Sequence, residues 1–301
     1  MTSAALSSPA PPPESPARPS LGTDALFFAL MGTIGGIYVV MLVGLLVADV
    51  AYMVTAEPER LVLPEWARSN AALLRPVLPM IAALADPNIQ YSIKLTLVSC
   101  GVTAALSLIV AVPIGYLLSR YRFRGRNLID AILDIPIVLP PLVVGLSLLI
   151  LFQFPPFLWM RSLVVYQIPA VILAQFMVAA AFAVRTMRAT FDQIDTRREQ
   201  VALTLGCTRA QAFFRVALPE AETGILTAGT LAWARALGEF GPLLVFAGTT
   251  RGKTEVLSST VYLELSVGNL SGAVAVSLIM VLCAVLVLVV ARVWGTRNLT
   301  L

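Results

Sequence analysis

The chain has 301 residues, 58% of them hydrophobic and 13% charged, with a mean hydropathy of +0.86. Soluble domains carry roughly 25% charged residues, so this balance excludes an ordinary soluble globule and points to the bilayer. A net charge of +4 without a basic, aromatic-interleaved surface argues against nucleic acid, and the absence of histidine removes the commonest general base and metal ligand.

Residues 1–23 are rich in Pro, Ser and Ala and include Pro11-Pro12-Pro13, a composition with too little apolar area to fold. They read as a disordered tail. Only Arg18 precedes the first apolar run, and that run is too long for the core of a signal peptide. A spanning helix needs about 20 apolar residues. Six segments qualify: 25–48, 92–118, 130–152, 166–184, 221–247 and 269–291. The third is interrupted by Pro136 and Pro140-Pro141, the fifth by Arg235 and Glu239. The loop 50–91 holds Trp66 and a predicted interfacial helix at 69–84. The expected fold is therefore an all-α, polytopic membrane protein with about six transmembrane helices. Its parts are a tail (1–23), a first span with a long outer loop (24–91), a core (92–295) and a short tail (296–301). Cys100, Cys207 and Cys283 form no CxxC pair and suggest neither a disulfide framework nor a zinc site.

Basic residues set the orientation. With the N-terminus inside, 13 Lys and Arg fall on the cytoplasmic side, densely in 120–126 and 185–215. Seven fall outside, spread over long loops, and Arg235 lies within a span. Both termini are therefore expected in the cytoplasm of a multi-pass inner-membrane protein.

The segment 185–219 lies between the fourth and fifth spans. It carries two capping-box patterns, Thr196 with Glu199 and Thr208 with Gln211. Gly206 stands between them, where a helix stop needs left-handed backbone, and Pro219 is placed to end the second helix. Val201, Ala202 and Leu205 make one apolar face at helical spacing. From helix chemistry alone this is either an ordinary solvated loop or a rigid helix-Gly-helix device.

The same residues resemble the coupling loop of ABC importer permeases, whose pattern is Glu-Ala-Ala, three residues, Gly, nine residues, Ile-x-Leu-Pro. Gln200-Val201-Ala202 stands for Glu-Ala-Ala, with Glu199 one position early. Gly206 follows, then Val216 for Ile and Leu218-Pro219. From Leu95 to Val290 the chain resembles the type I importer core. The string Arg-Ala-Leu-Gly-Glu-Phe-Gly within 229–241 is similar to molybdate, tungstate and sulfate permeases, and 254–269 is most like the molybdate and tungstate branch. The resemblance implies two copies of this chain, a cytoplasmic ATPase dimer docked on the loop and an extracytoplasmic binding protein. It also implies that ATP and Mg are used by the partner, with no cofactor bound and no catalytic site in this chain.

Arg235 and Glu239, four residues apart in an apolar segment, have two readings. They neutralise each other as a packing pair, or Arg235 lends the pathway a positive field for an oxyanion. Gly238, Gly241 and Pro242 next to them allow close backbone approach or a bend. Asp134, with Pro136 and Pro140-Pro141, marks a second irregular place. The run Gly248 to Thr254 imitates a phosphate loop, but it has three residues between its glycines where the motif needs four.

Three rival classes stand beside this reading. A secondary transporter or channel would use Arg235, Glu239 and Asp134 as an ion path, but no inverted repeat is visible. A membrane enzyme would need a nucleophile or metal constellation, which is missing. An ABC importer for another small solute fits the coupling loop equally well.

Overall fold

The structure is a computed structural model and describes residues 25–55 and 78–297. Among the described residues there is no strand. The chain divides into two compact units, at Ala51 and Tyr52. The first holds most of α1 (Ala25–Thr55), 31 residues with no acidic or basic residue at either end. At 1.5 Å per residue its length exceeds the roughly 30 Å hydrocarbon core.

The second unit begins with α2 (Leu78–Ala85) and α3 (Pro87–Arg120). Asp86 caps α3 by accepting from the Asn88 N–H at 2.8 Å, and Pro87 occupies the first turn, where its missing N–H costs nothing. Next come α4 (Arg126–Val138), α5 (Pro141–Leu151) and α6 (Ile168–Gln193). The short helices α7 (Thr196–Thr204) and α8 (Arg209–Ala212) lead through a π-turn at 213–217 into α9 (Glu222–Leu237). A second π-turn at 243–247 precedes α10 (Leu257–Ser266) and α11 (Leu270–Arg297).

Among the described residues, four helices are individually long and apolar enough to span a membrane: α1, α3, α6 and α11. The expected third span is two helices, α4 and α5, bent by 111° at Leu139-Pro140. The expected fifth span stops as a helix after 16 residues, at Leu237. By length and composition, the described residues thus hold four continuous candidate spans, or five counting the bent pair, within the all-α polytopic fold for which the sequence suggested about six. Pro140 and Pro141 explain the first break, because neither supplies an N–H and Pro140 disfavours α geometry at Leu139, which is extended at ψ 140°. Gly238, Gly241 and Pro242 explain the second.

The core of the second unit is α3, α6 and α9. Ala179 and Ala183 of α6 meet Ala228, Ala232 and Ala236 of α9, and all five are fully buried. Small side chains let backbones approach closely. Such packing, rather than a hydrophobic effect, holds helices together in lipid. A separate cluster joins Ala83 of α2 to Ala275, Val276 and Ile279 of α11. The helix expected at the membrane surface over 69–84 is therefore packed inward in its described part, with Leu78 fully buried. Residues 69–77, the tails 1–23 and 298–301, and most of the loop 50–91 lie outside the described residues.

Candidate functional site

The helix-Gly-helix segment differs from the sequence expectation in four places. First, α6 runs on to Gln193, so residues 185–193 are helix rather than loop. Second, the capping box at Thr196 and Glu199 does not form. Asp195 is the N-cap and accepts from the Arg197 N–H at 2.9 Å. Glu199 instead receives the Arg120 Nε–H at 2.8 Å and the Tyr116 hydroxyl at 2.8 Å. A buried guanidinium offers a carboxylate a stronger bond than an exposed backbone amide does. Third, Pro219 does not end the helix. The chain stays helical through it by widening into the π-turn at 213–217, with the Leu218 N–H reaching the Phe213 carbonyl. The wider turn makes room for the proline ring and its missing donor. Fourth, the predicted single apolar face splits. Ala202 is buried, while Val201 and Leu205 are 57% and 81% exposed.

The remaining expectations describe the geometry well. Gly206 has φ +89°, and the two crossed bonds of a Schellman stop surround it. Cys207 N–H reaches Ala202 O, and Gly206 N–H reaches Leu203 O, each at 3.1 Å. Thr208 and Gln211 form a reciprocal capping box, at 3.2 and 2.9 Å. The segment is thus rigid, and it presents Val201, Leu205 and Phe214 outward. Gln200 and Pro219 are also exposed, and Val216 and Leu218 are half-buried.

The second candidate region is where the two broken spans meet. A Cβ on Gly145 of α5 would lie 2.7 Å from Pro242 Cα, and one on Gly241 would lie 3.0 Å from Leu142 N. Glycine at both places lets one break rest backbone-to-backbone on the other. Glu239 lies in the second break, 1% exposed, and Arg235 of α9 reaches its Oε1 at 2.6 Å. The contact is an ion pair without an aligned hydrogen bond to Oε1. Arg235 is 30% exposed and stacks over the Phe182 ring of α6 at 5.6 Å. Phe246 is fully buried against Phe152, and Phe240 packs on Tyr262.

Asp134 is not part of the break at Pro140. It pairs with Arg185 of α6, one helical turn from Asp130, which pairs with Arg188. Arg188 also faces Asp192 at 3.8 Å, and these five residues line a pocket of about 270 Å³ between α4 and α6. Sequence reasoning missed Arg120 and Tyr116, whose signal was only a charge and a phenol near the end of a span. It also missed Gln175, Thr103 and Ser258, which make polar contacts around the second break. Among the described residues no group of three or more Asp, Glu, Cys or His could hold a metal ion.

Residues 111–297 match the family described as "Binding-protein-dependent transport system inner membrane component". The chain is 35% identical over 168 residues to the molybdate/tungstate transport system permease protein WtpB of Pyrococcus abyssi. That match covers 56% of this chain and 64% of the relative's length. It is 32% identical over 210 residues to the sulfate transport system permease protein CysT of Escherichia coli, covering 68% and 76%. It is 32% identical over 221 residues to the molybdenum transport system permease protein ModB of Escherichia coli, covering 71% and 96%. A solved bacterial ABC transporter that imports the acidic polysaccharide alginate shares the fold. Its TM-score is 0.66 at 18% identity, over 92% of this chain and 97% of that one.

Proposed function

The chain belongs to the binding-protein-dependent transport system inner membrane component family, and from that premise we propose that it is the permease subunit of an ABC importer for molybdate or tungstate, with sulfate as the nearest relative substrate. One observation carries the mechanical part of the reading. A rigid helix-Gly-helix segment exposes Val201, Leu205 and Phe214, apolar side chains that water disfavours and a partner surface would cover. The proposed partner is a separate ATPase dimer, which binds ATP and Mg, so that this chain contributes movement and no hydrolytic chemistry. A second copy of the chain completes the pathway, and an extracytoplasmic binding protein delivers the anion. One neighbour of the same fold is described in complex with a ligand-bound periplasmic protein, which supports a delivery partner of that kind.

The orientation follows the basic residues. The Arg120–Glu199 contact brings the arginine-rich 120–126 segment to the same end of the molecule as α7. That end is assigned to the cytoplasm, with both termini there. Movement of α7 and α8 would pass along α6 and α9 to the junction of the two breaks, the proposed place of pathway control. An importer for another solute is the second reading, since the 185–219 pattern does not fix what is carried and a transporter of the same fold imports the acidic polysaccharide alginate.

The deciding experiment is uptake into vesicles holding this chain with its ATPase and binding protein, measured with labelled molybdate, tungstate and sulfate. ATP-dependent accumulation of molybdate or tungstate is expected. Accumulation of none of the three would overturn the oxyanion assignment.

A further inference from the structure

The second break leaves backbone carbonyls that a continuous helix would have used. The Gly238 N–H still reaches Ala234 O, at a long 3.4 Å, and the Glu239 N–H turns back to Ala236 O at 3.2 Å. Helical bonding resumes only with Leu244 N–H on Phe240 O at 3.0 Å. An irregular stretch at membrane depth persists only where protein groups satisfy it.

Two side chains from different elements do so. Gln175 of α6 is 1% exposed, and its Nε2 donates to Ala236 O at 3.3 Å. Ser258, in the first turn of α10, donates its hydroxyl to Glu239 O at 2.7 Å. Each is braced in turn by a threonine of α3. The Thr103 hydroxyl donates to Gln175 Oε1 at 3.3 Å, and Thr96 Oγ1 accepts the Leu257 N–H at 2.9 Å, fixing the start of α10. Thr96 and Thr103 are seven residues apart, so they lie on one face of α3 about two turns from each other. Both are buried, at 1% and 0% exposure. Two arms of similar construction thus run from α3 to the two ends of the break, one through α6 and one through α10.

We propose that Gln175 and Ser258 are positioning residues that hold the break between Ala236 and Pro242 in the conformation seen here, and so set the balance between this state and the one reached during ATP-driven transport. The proposal rests on the reading of the break as the place of pathway control. Arg235 and Glu239 lie within or beside the held stretch, so the two arms also fix where that pair sits. Loss of one neutral hydrogen bond changes a conformational equilibrium by roughly fivefold. That is enough to alter coupling while a fold stabilised by many contacts survives.

The test uses the whole complex in proteoliposomes, with the ratio of ATP hydrolysis measured with and without molybdate-loaded binding protein. Ser258→Ala and Thr103→Val each weaken one arm with little change in volume, and Ser258→Thr keeps the donor. Both weakening variants are expected to raise hydrolysis in the absence of binding protein on the order of fivefold, lowering the ratio, at wild-type complex yield. Ser258→Thr is expected to keep the wild-type ratio. Gln175→Leu should show the larger effect, and if it fails to assemble the other two variants still decide. Ratios within twofold of wild type for both Ser258→Ala and Thr103→Val, at matched protein, would overturn the proposal. A wild-type complex with no stimulated hydrolysis at all would instead count against the importer reading itself.

Discussion

Arg120 and Glu199, 79 residues apart in sequence, meet at 2.8 Å with side chains only 8% and 11% exposed. Arg120 ends α3, and its other nitrogens donate to Phe191 O at 2.8 Å and Ile194 O at 3.1 Å. Those carbonyls terminate α6, where a helix leaves acceptors unpaired and carries partial negative charge. One guanidinium therefore ties the ends of two spans to the first turn of α7. Displacing α7 alone would break a shielded ion pair.

Glu199→Ala should accordingly destabilise the protein strongly, because it leaves a shielded guanidinium without its counter-charge. Breaking a buried pair costs about 3–5 kcal/mol, and the two carbonyls that Arg120 keeps place the effect at the lower end. Tyr116→Phe removes only one neutral donor to the same carboxylate and should cost about 1 kcal/mol or somewhat more. Thermal unfolding of the purified protein in detergent measures both. Equal melting temperatures for Glu199→Ala and wild type would show that the contact does not tie the helices.

Gly206→Leu and Leu205→Glu separate the shape of the loop from its surface. Gly206 sits at φ +89°, where a side chain costs roughly 1–2 kcal/mol, so Gly206→Leu should distort the α7–α8 angle and lower stability. Leu205 is 81% exposed, so Leu205→Glu should leave the unfolding free energy within about 0.5 kcal/mol of wild type. It should nonetheless abolish co-purification of the ATPase partner by placing a charge in an apolar contact. If Leu205→Glu co-purifies normally, the exposed apolar face is not the docking surface.

Glu255, just before α10, provides a dependence on pH. Its carboxyl is 1% exposed, and Oε2 has no hydrogen-bond partner. Burial pushes its pKa up, against a Thr260 hydrogen bond and the Arg251 charge, which act the other way. A carboxyl whose folded pKa exceeds its unfolded value costs stability when ionised. That cost is present above the folded pKa and disappears as pH falls through it, since the folded state takes the proton first. Glu255→Gln should therefore melt higher than wild type at neutral pH, and the difference should close as the solution is acidified. A gap that widens on acidification would mean that the ionised carboxylate is stabilising.

Local signals in the sequence were legible where the chemistry was local. Gly206, the Thr208–Gln211 box and the two interrupted spans all depend on residues within a few positions. The misreadings arose where a distant residue competed. Thr196 and Glu199 spell a capping box, yet Arg120 draws the glutamate away, and nothing within 185–219 announces that arginine. Pro219 looks like a helix end, but a π-turn absorbs it, because the packing of Ala217 and Ala221 in the core outweighs the local preference. Asp134 looked like part of the Pro140 break, but Arg185 lies within reach across α4 and α6. Gln175 and Ser258 were invisible for the same reason, since their value lies in carbonyls freed by a break on another helix.

Arg235 and Glu239 give the sharpest division between packing and pathway. The carboxylate is 1% exposed and the guanidinium 30%, so the pair is closed on the side of the acid and partly open on the side of the base. Removing only the arginine strands a buried carboxylate, which is strongly destabilising. Arg235→Gln should therefore lower the yield of folded complex, and Arg235→Gln with Glu239→Gln should restore it, because neither charge then needs a partner. Uptake of molybdate and tungstate at matched yield reads the second question. At 2.6 Å the carboxylate cancels most of the field that the arginine could lend an anion. A bare arginine at a narrowing would also hold a doubly charged anion rather than release it. We expect the double variant to keep most of its uptake, which would assign the pair to packing at the break. Normal yield with lost uptake in the double variant would show instead that Arg235 acts on the passing anion. Normal yield of the single Arg235→Gln variant would show that the buried carboxylate does not depend on its neighbour.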